Sequence, residues 1–119
     1  HAISHMVGAE YDTQHGLTNA IVLPSVLRFN KDRMGSKISV MSKAMGLKKN
    51  DFDYFYKSIC DLLDQFEIPK KLSDIGVKDS SVKSLAKKAL KDSAFATNPK
   101  TATLEEMMEL IETSINYGR

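Results

Sequence analysis

"NDFDYFYKSICDLLDQF", residues 50–66, decides the fold class. Phe52, Phe55, Ile59, Leu62, Leu63 and Phe66 recur at steps of three and four, the spacing that gathers side chains onto one stripe of an α-helix. Asn50 stands where a cap is wanted, and Pro69 stands where the helix must stop. The same pattern continues outward in both directions. In "TLEEMMELIETSI", 103–115, Thr103 and Glu106 form a capping box, and Leu104, Met107, Met108, Ile111 and Ile115 form the buried stripe. The methionines read as core filler rather than as a ligand pair. A third helix fits 80–92, with Val82, Leu85, Ala86, Ala89 and Leu90 inward and Asp79 or Ser80 as cap. A fourth fits "SKISVMSKAMGL", 36–47, closed by Gly46. A fifth runs from His15 to about Phe29, kinked or interrupted by Pro24. No stretch alternates at period two and no internal repeat is present. The expected architecture is all-α, a bundle of five or six helices joined by short connectors such as "EIPKKLSDIGVKDS" and "FATNPKTA".

Composition bounds what such a bundle does. At 119 residues the chain is one domain or a piece of one, long enough to bury a core. Its apolar fraction of 42% and charged fraction of 27% are those of a soluble globular protein. A net charge of +2 gives no reason to expect nucleic acid as a partner. The basic run "KSLAKKALK", 83–91, reads as a solvated helix face. The longest apolar run, "AIVLPSVL" at 20–27, falls short of the roughly 20 residues that span a bilayer and is broken by Pro24, so no membrane is expected. A lone cysteine, Cys60, has no internal disulfide partner and suits a reducing, cytoplasmic compartment.

The chemistry concentrates at the other end. "HAISHMVGAEYDTQHG", residues 1–16, holds all three histidines of the chain. Imidazole is the commonest side-chain metal ligand and the natural proton shuttle near neutral pH. His1 and His5 are four apart, which on a helix sets both rings on one face a turn apart, the geometry helical metal sites use. Spacing alone selects His1 with His5 and keeps His15 as a third ligand, with Gly8 as the break between two elements. A histidine at the first position can also chelate copper through its amine and ring. Copper centres of that kind belong to β-rich secreted proteins with disulfides, and this chain is neither.

The first thirty residues, "HAISHMVGAEYDTQHGLTNAIVLPSVLRFN", resemble the C-terminal-domain signature of the iron-containing alcohol dehydrogenases. The matching positions are His1, His5, Gly8, His15-Gly16, Asn19-Ala20, Leu23-Pro24 and Phe29-Asn30. "SKAMGL" at 42–47, "IPKKLSDIGV" at 68–77 and "ATNPKTATLEEM" at 96–107 continue the resemblance in order. Gln14 stands where the family usually has Pro, and Lys100 where it usually has Arg.

The resemblance carries its own expectations. It implies that residues 1–119 are the C-terminal all-helical metal-binding and catalytic domain of a dehydroquinate synthase-like enzyme of this family, whose α/β nucleotide-binding half is absent. It reassigns the histidines: His1 and His15 become the metal ligands, and His5 lies by the reaction centre and the nicotinamide. An Asp and another His from preceding residues would complete the site. The implied cofactors are Fe2+, with Zn2+ also used among relatives, and NAD or NADP bound mainly by the N-terminal half. The implied activity is metal-dependent hydride transfer between an alcohol and an aldehyde or ketone, the metal acting as a Lewis acid. Short alcohols, aldehydes or diols are the expected substrates, and the chain alone is expected to be inactive. A homo-oligomer is an expected assembly. The helix holding "LTNAIVLPSVL" is expected to expose an apolar face to the missing half or to another copy. Phe95 is expected to line the substrate pocket or pack in the core. The competing class is a non-catalytic helical interaction module with an incidental histidine cluster. Such a module has no need of the histidine pattern.

Overall fold

The computed structural model describes residues 1–49, 51–92, 95–96, 98 and 100–119. It contains six α-helices: α1 (Ala2–Tyr11), α2 (His15–Met34), α3 (Ser36–Ala44), α4 (Phe52–Gln65), α5 (Val82–Leu90) and α6 (Leu104–Asn116). Short 3-10 turns at Leu72–Ile75 and Asp79–Ser81 lead into α5, and no strand occurs among the described residues. Among the described residues no helix is long and apolar enough to cross a membrane.

The helix ends show the local causes. Thr103 and Glu106 make the expected capping box: Glu106 N–H donates to Thr103 Oγ1 at 3.2 Å, and Thr103 N–H donates to Glu106 Oε1 at 3.0 Å. Gly46, at φ +71°, closes α3 as expected, with Leu47 N–H returning to the Ser42 carbonyl. The cap of α4 is Asp51, whose carboxylate accepts from Tyr54 N–H at 2.7 Å. Asn50, the expected cap, lies outside the described residues. Pro69 does not stop α4 either. Glu67 adopts a left-handed φ of 58°, and Ile68 N–H bonds back to the Leu63 carbonyl, so the chain has turned before the proline is reached. At α5 neither Asp79 nor Ser80 caps. The cap position is Ser81, with no side-chain hydrogen bond, and Asp79 instead accepts from Asn116 Nδ2 at 2.7 Å.

Two further expectations are corrected. Gly8 remains inside α1, and the break comes at Asp12, whose φ of 54° and ψ of 43° suit a short polar side chain. Pro24 does not interrupt α2, which continues to Met34 until Gly35 turns the chain at φ +45°. The roughly 3 kcal/mol that an interior proline costs is offset by burial on both sides of it, at Ile21, Val22, Leu27 and Met34.

α2 therefore spans two apolar clusters. Ile21 and Val22 join Ala2, Ile3 and Val7 of α1, Leu85, Ala86 and Ala89 of α5, and Met107, Ile111 and Ile115 of α6. Leu27 and Met34 join Ile38 of α3 and Phe55 of α4 in a smaller cluster. The α6 stripe is buried or partly buried throughout. On the α4 stripe Leu62 and Phe66 are 42% and 68% exposed, because only the N-terminal part of α4 meets α3 and α2. The expected apolar face of α2 is mostly buried, with only Leu23 among its large apolar side chains exposed.

The chain's last residues strap α6 to the end of α4. Arg119 is buried and donates to Asp64 Oδ1 at 2.8 and 3.0 Å, to the Ile68 carbonyl at 2.6 Å and to the Pro69 carbonyl at 3.2 Å. Gly118 makes this possible: at φ +64°, a Cβ would fall 1.6 Å from the Lys70 carbonyl oxygen. Gly118→Ala should undock the strap and lower stability by about 1–3 kcal/mol, read from urea unfolding. Arg119→Ala should act on the same strap, so the double variant should cost clearly less than the two single costs added.

The α6 cap gives a pH signature. The Thr103 hydrogen bonds hold the Glu106 carboxyl below its usual range. Its stabilising effect is therefore present above the ordinary glutamate value and is lost as pH falls through the lowered one. Glu106→Gln should flatten the acid limb of the stability–pH curve, with little change near neutrality.

Candidate metal centre

His1 occupies the cap position of α1 and His5 lies one turn into it, with His5 N–H donating to the His1 carbonyl at 2.8 Å. Their ring centres are 6.0 Å apart. The chain then reverses at 12–14 and enters α2 at His15. Thr18, fully buried, fixes the reversal: its hydroxyl meets Thr13 Oγ1 at 2.8 Å and the Gln14 carbonyl at 2.9 Å. The His15 ring centre stands 5.5 Å from that of His1 and 5.3 Å from that of His5. One ring nitrogen from each of the three lies within 4.8 Å of the others.

That donor set fits a transition-metal ion. Metal–imidazole bonds of about 2.0–2.1 Å put two ligand atoms of one tetrahedral ion roughly 3.4 Å apart. The three rings are exposed, and small rotations of their side chains span the remaining distance. The sequence reading thus named the residues that come together, His1, His5 and His15.

Other contributors were given no role from sequence. Asp92, just beyond α5, places both carboxylate oxygens 3.1 and 3.2 Å from His5 Nδ1. It lies 87 residues away in sequence, and nothing in "KALKDS" marks it. Asn19 sets its amide nitrogen 3.0 Å from His15 Nε2, one turn along α2.

Beside His1 a small half-open cleft of about 40 Å³ is lined by Ile3, Val26, Phe29, Phe95, Asn98 and Met107. Phe95 lines this cleft and also packs against the core. The connector that carries Phe95 is tied to α2 by a reciprocal amide pair. Asn30 Nδ2 donates to Asn98 Oδ1 at 2.9 Å, and Asn98 Nδ2 donates to Asn30 Oδ1 at 2.8 Å. Lys100 adds a second tie, with Nζ 4.7 Å from the Phe29 ring centre and 3.8 Å from Asp32 Oδ2.

The chain is similar to known proteins over nearly its whole length. The C-terminal part of the Fe-containing alcohol dehydrogenase family matches residues 1–115. Lactaldehyde reductase of Escherichia coli strain K12 is 36% identical over 96% of the chain, which spans 31% of that protein's length. 1,3-Propanediol dehydrogenase of Citrobacter freundii is 31% identical over 92% of the chain and 30% of its own length. Among solved structures, a 1,3-propanediol oxidoreductase superposes with a TM-score of 0.88 at 30% identity, over 97% of the chain and 32% of that protein.

The amide pair yields a stability test. Asn30 is buried, so Asn98→Ala strands its amide and should cost about 1–3 kcal/mol in urea unfolding. Asn30→Ala combined with Asn98→Ala should be less damaging than the two single costs added, since each removes the other's partner.

Proposed function

The chain belongs to the Fe-containing alcohol dehydrogenase family, and from that premise we propose that residues 1–119 act as the C-terminal helical, metal-binding domain of an NAD(P)-linked oxidoreductase. Its reaction is the interconversion of alcohols with aldehydes or ketones by hydride transfer. The observation that carries this reading is the cluster itself: three imidazoles with ligand atoms within 4.8 Å, at the lip of an apolar cleft, in a chain that matches the family over residues 1–115. The relatives named above are alcohol or aldehyde oxidoreductases in their own right.

His1 and His15 would hold a divalent iron or zinc ion, together with ligands from outside these residues. The chemistry such an ion supplies when bound is Lewis-acid polarisation of the oxygen of the reacting alcohol or carbonyl. The nicotinamide cofactor would be held mainly by residues outside the chain. The chemistry a nicotinamide would supply when bound is acceptance of a hydride from the alcohol carbon, which leaves the hydroxyl proton to be removed by the protein. His5, beside the two ligands, takes up that proton at a ring nitrogen and returns it in reduction. Phe29, Phe95 and Val26 form the apolar wall that keeps water from the hydride path. An apolar wall of that character is compatible with a short alcohol, aldehyde or diol.

The roles separate in the full-length enzyme. His1→Ala and His15→Ala should each strip the metal, since one missing ligand lets water and buffer compete. His5→Ala should keep its metal and lose turnover. Metal analysis of the three purified variants reads the result directly, and loss of metal in His5→Ala with retention in His15→Ala would reverse the assignment.

A further inference from the structure

We propose that Asp92 is a positioning residue for His5, fixing the tautomer in which Nδ1 carries the proton and Nε2 keeps the lone pair. The catalytic consequence rests on the oxidoreductase reading above; the structural claim does not.

Three observations converge on it. Both Asp92 oxygens approach the same ring nitrogen, at 3.1 and 3.2 Å. An ionised carboxylate only accepts hydrogen bonds, so the nitrogen it meets must be the N–H. In the neutral ring the lone pair then belongs to Nε2. Second, the Asp92 side chain is only 13% exposed, whereas that of His5 is 41% exposed. The ring packs against His1 and His15, at 6.0 and 5.3 Å between centres, and the better buried carboxylate is the more firmly held partner. Third, Asp92 follows the C-terminal end of α5, where the helix dipole disfavours negative charge. A carboxylate placed against that local preference, and turned to a histidine of the cluster, has the character of a site residue rather than of a helix terminus. The unfavourable placement is compensated where the proton is held, as with the carboxylate partners of metal-site and catalytic histidines.

The consequence is directional. With Nδ1–H tied down, proton exchange with the substrate runs through Nε2 alone. Without Asp92 the ring samples both tautomers and both flips, and only a fraction of molecules present the competent nitrogen.

The test separates the two layers. In the metal-free full-length protein labelled with 15N-histidine, long-range proton–nitrogen correlation at a pH where the rings are neutral reads the tautomer, with His5 assigned by the signal lost in His5→Gln. The wild type should show His5 as the Nδ1–H form. Asp92→Asn, which keeps an acceptor oxygen, should preserve it, and Asp92→Leu should release the ring to the Nε2–H form or to a mixture. An unchanged Nδ1–H signal in Asp92→Leu, with the thermal transition showing a folded protein, overturns the inference. In the metal-loaded enzyme Asp92→Leu should lower kcat about ten- to a hundredfold, with the alcohol KM changed less than threefold and Asp92→Asn in between. A released tautomer with unaltered kcat overturns the catalytic role. If the wild type shows no alcohol turnover, the oxidoreductase reading fails and the tautomer result still stands on its own.

Discussion

The site depends on a three-residue reversal. α1 and α2 are joined by residues 12–14 alone, and the buried Thr18 hydroxyl ties that turn to Thr13 and Gln14. A looser connection would leave His15 free of the α1 start. Because the turn is short and its hydrogen bonds are inside, the first ring of α2 is delivered within 5.5 Å of rings on the first turn of α1. Ordering so few residues costs little loop entropy. Ile3 and Val7 on one helix and Ile21 and Val22 on the other supply the burial that holds the hairpin shut.

From that hairpin the rest of the fold reads as support. α5 and α6 close the large cluster beneath α1 and α2, and their connector comes back over the site. Asp92 reaches His5, Phe95 walls the cleft, and Asn98 locks to Asn30 on α2. One connector thus touches the histidine cluster, the cleft and the long helix. α3 and α4 hang on the far half of α2 through their own smaller cluster, remote from the chemistry.

The helices were legible because amphipathic spacing reports burial directly, as for Val82, Leu85, Ala86 and Ala89 of α5. The capping box at Thr103 was legible because both partners lie within one turn. Where the sequence misled, a local rule was overruled by a tertiary one. Pro24 and Gly8 are helix breakers by intrinsic preference, yet Pro24 sits between buried neighbours that hold α2 through it, and α1 runs on through Gly8 to Tyr11. The α4 stripe is ideal to Phe66, but spacing says which residues share a face and not whether a partner reaches that far. The histidine trio was visible as a cluster of type and spacing. Its roles came only by resemblance, since imidazole spacing does not distinguish a ligand from a neighbour. Asp92 went unseen, and Asn19, Asn30 and Asn98 stood only as positions of the resemblance, for a different reason. Their meaning lies in contacts that join distant segments or in one side chain's orientation, and no local pattern encodes either.

Exposure explains why those partners matter. A buried side chain is held by the many atoms around it, so a single hydrogen bond adds little to its orientation. The three imidazoles are exposed and pack chiefly on one another, with ring centres 5.3 to 6.0 Å apart. Their rotamers and tautomers are therefore set by few contacts: Asp92 on His5, Asn19 on His15, and the helix start on which His1 sits. The bundle fixes where the Cα atoms stand through dozens of apolar contacts, any one of which can be weakened without moving the site. The ring orientations at the cluster rest on far fewer polar ones. Substitutions in the core should therefore act on stability first and reach the site only as the fold loosens, whereas changes at these polar partners alter ring orientation in a protein that remains folded.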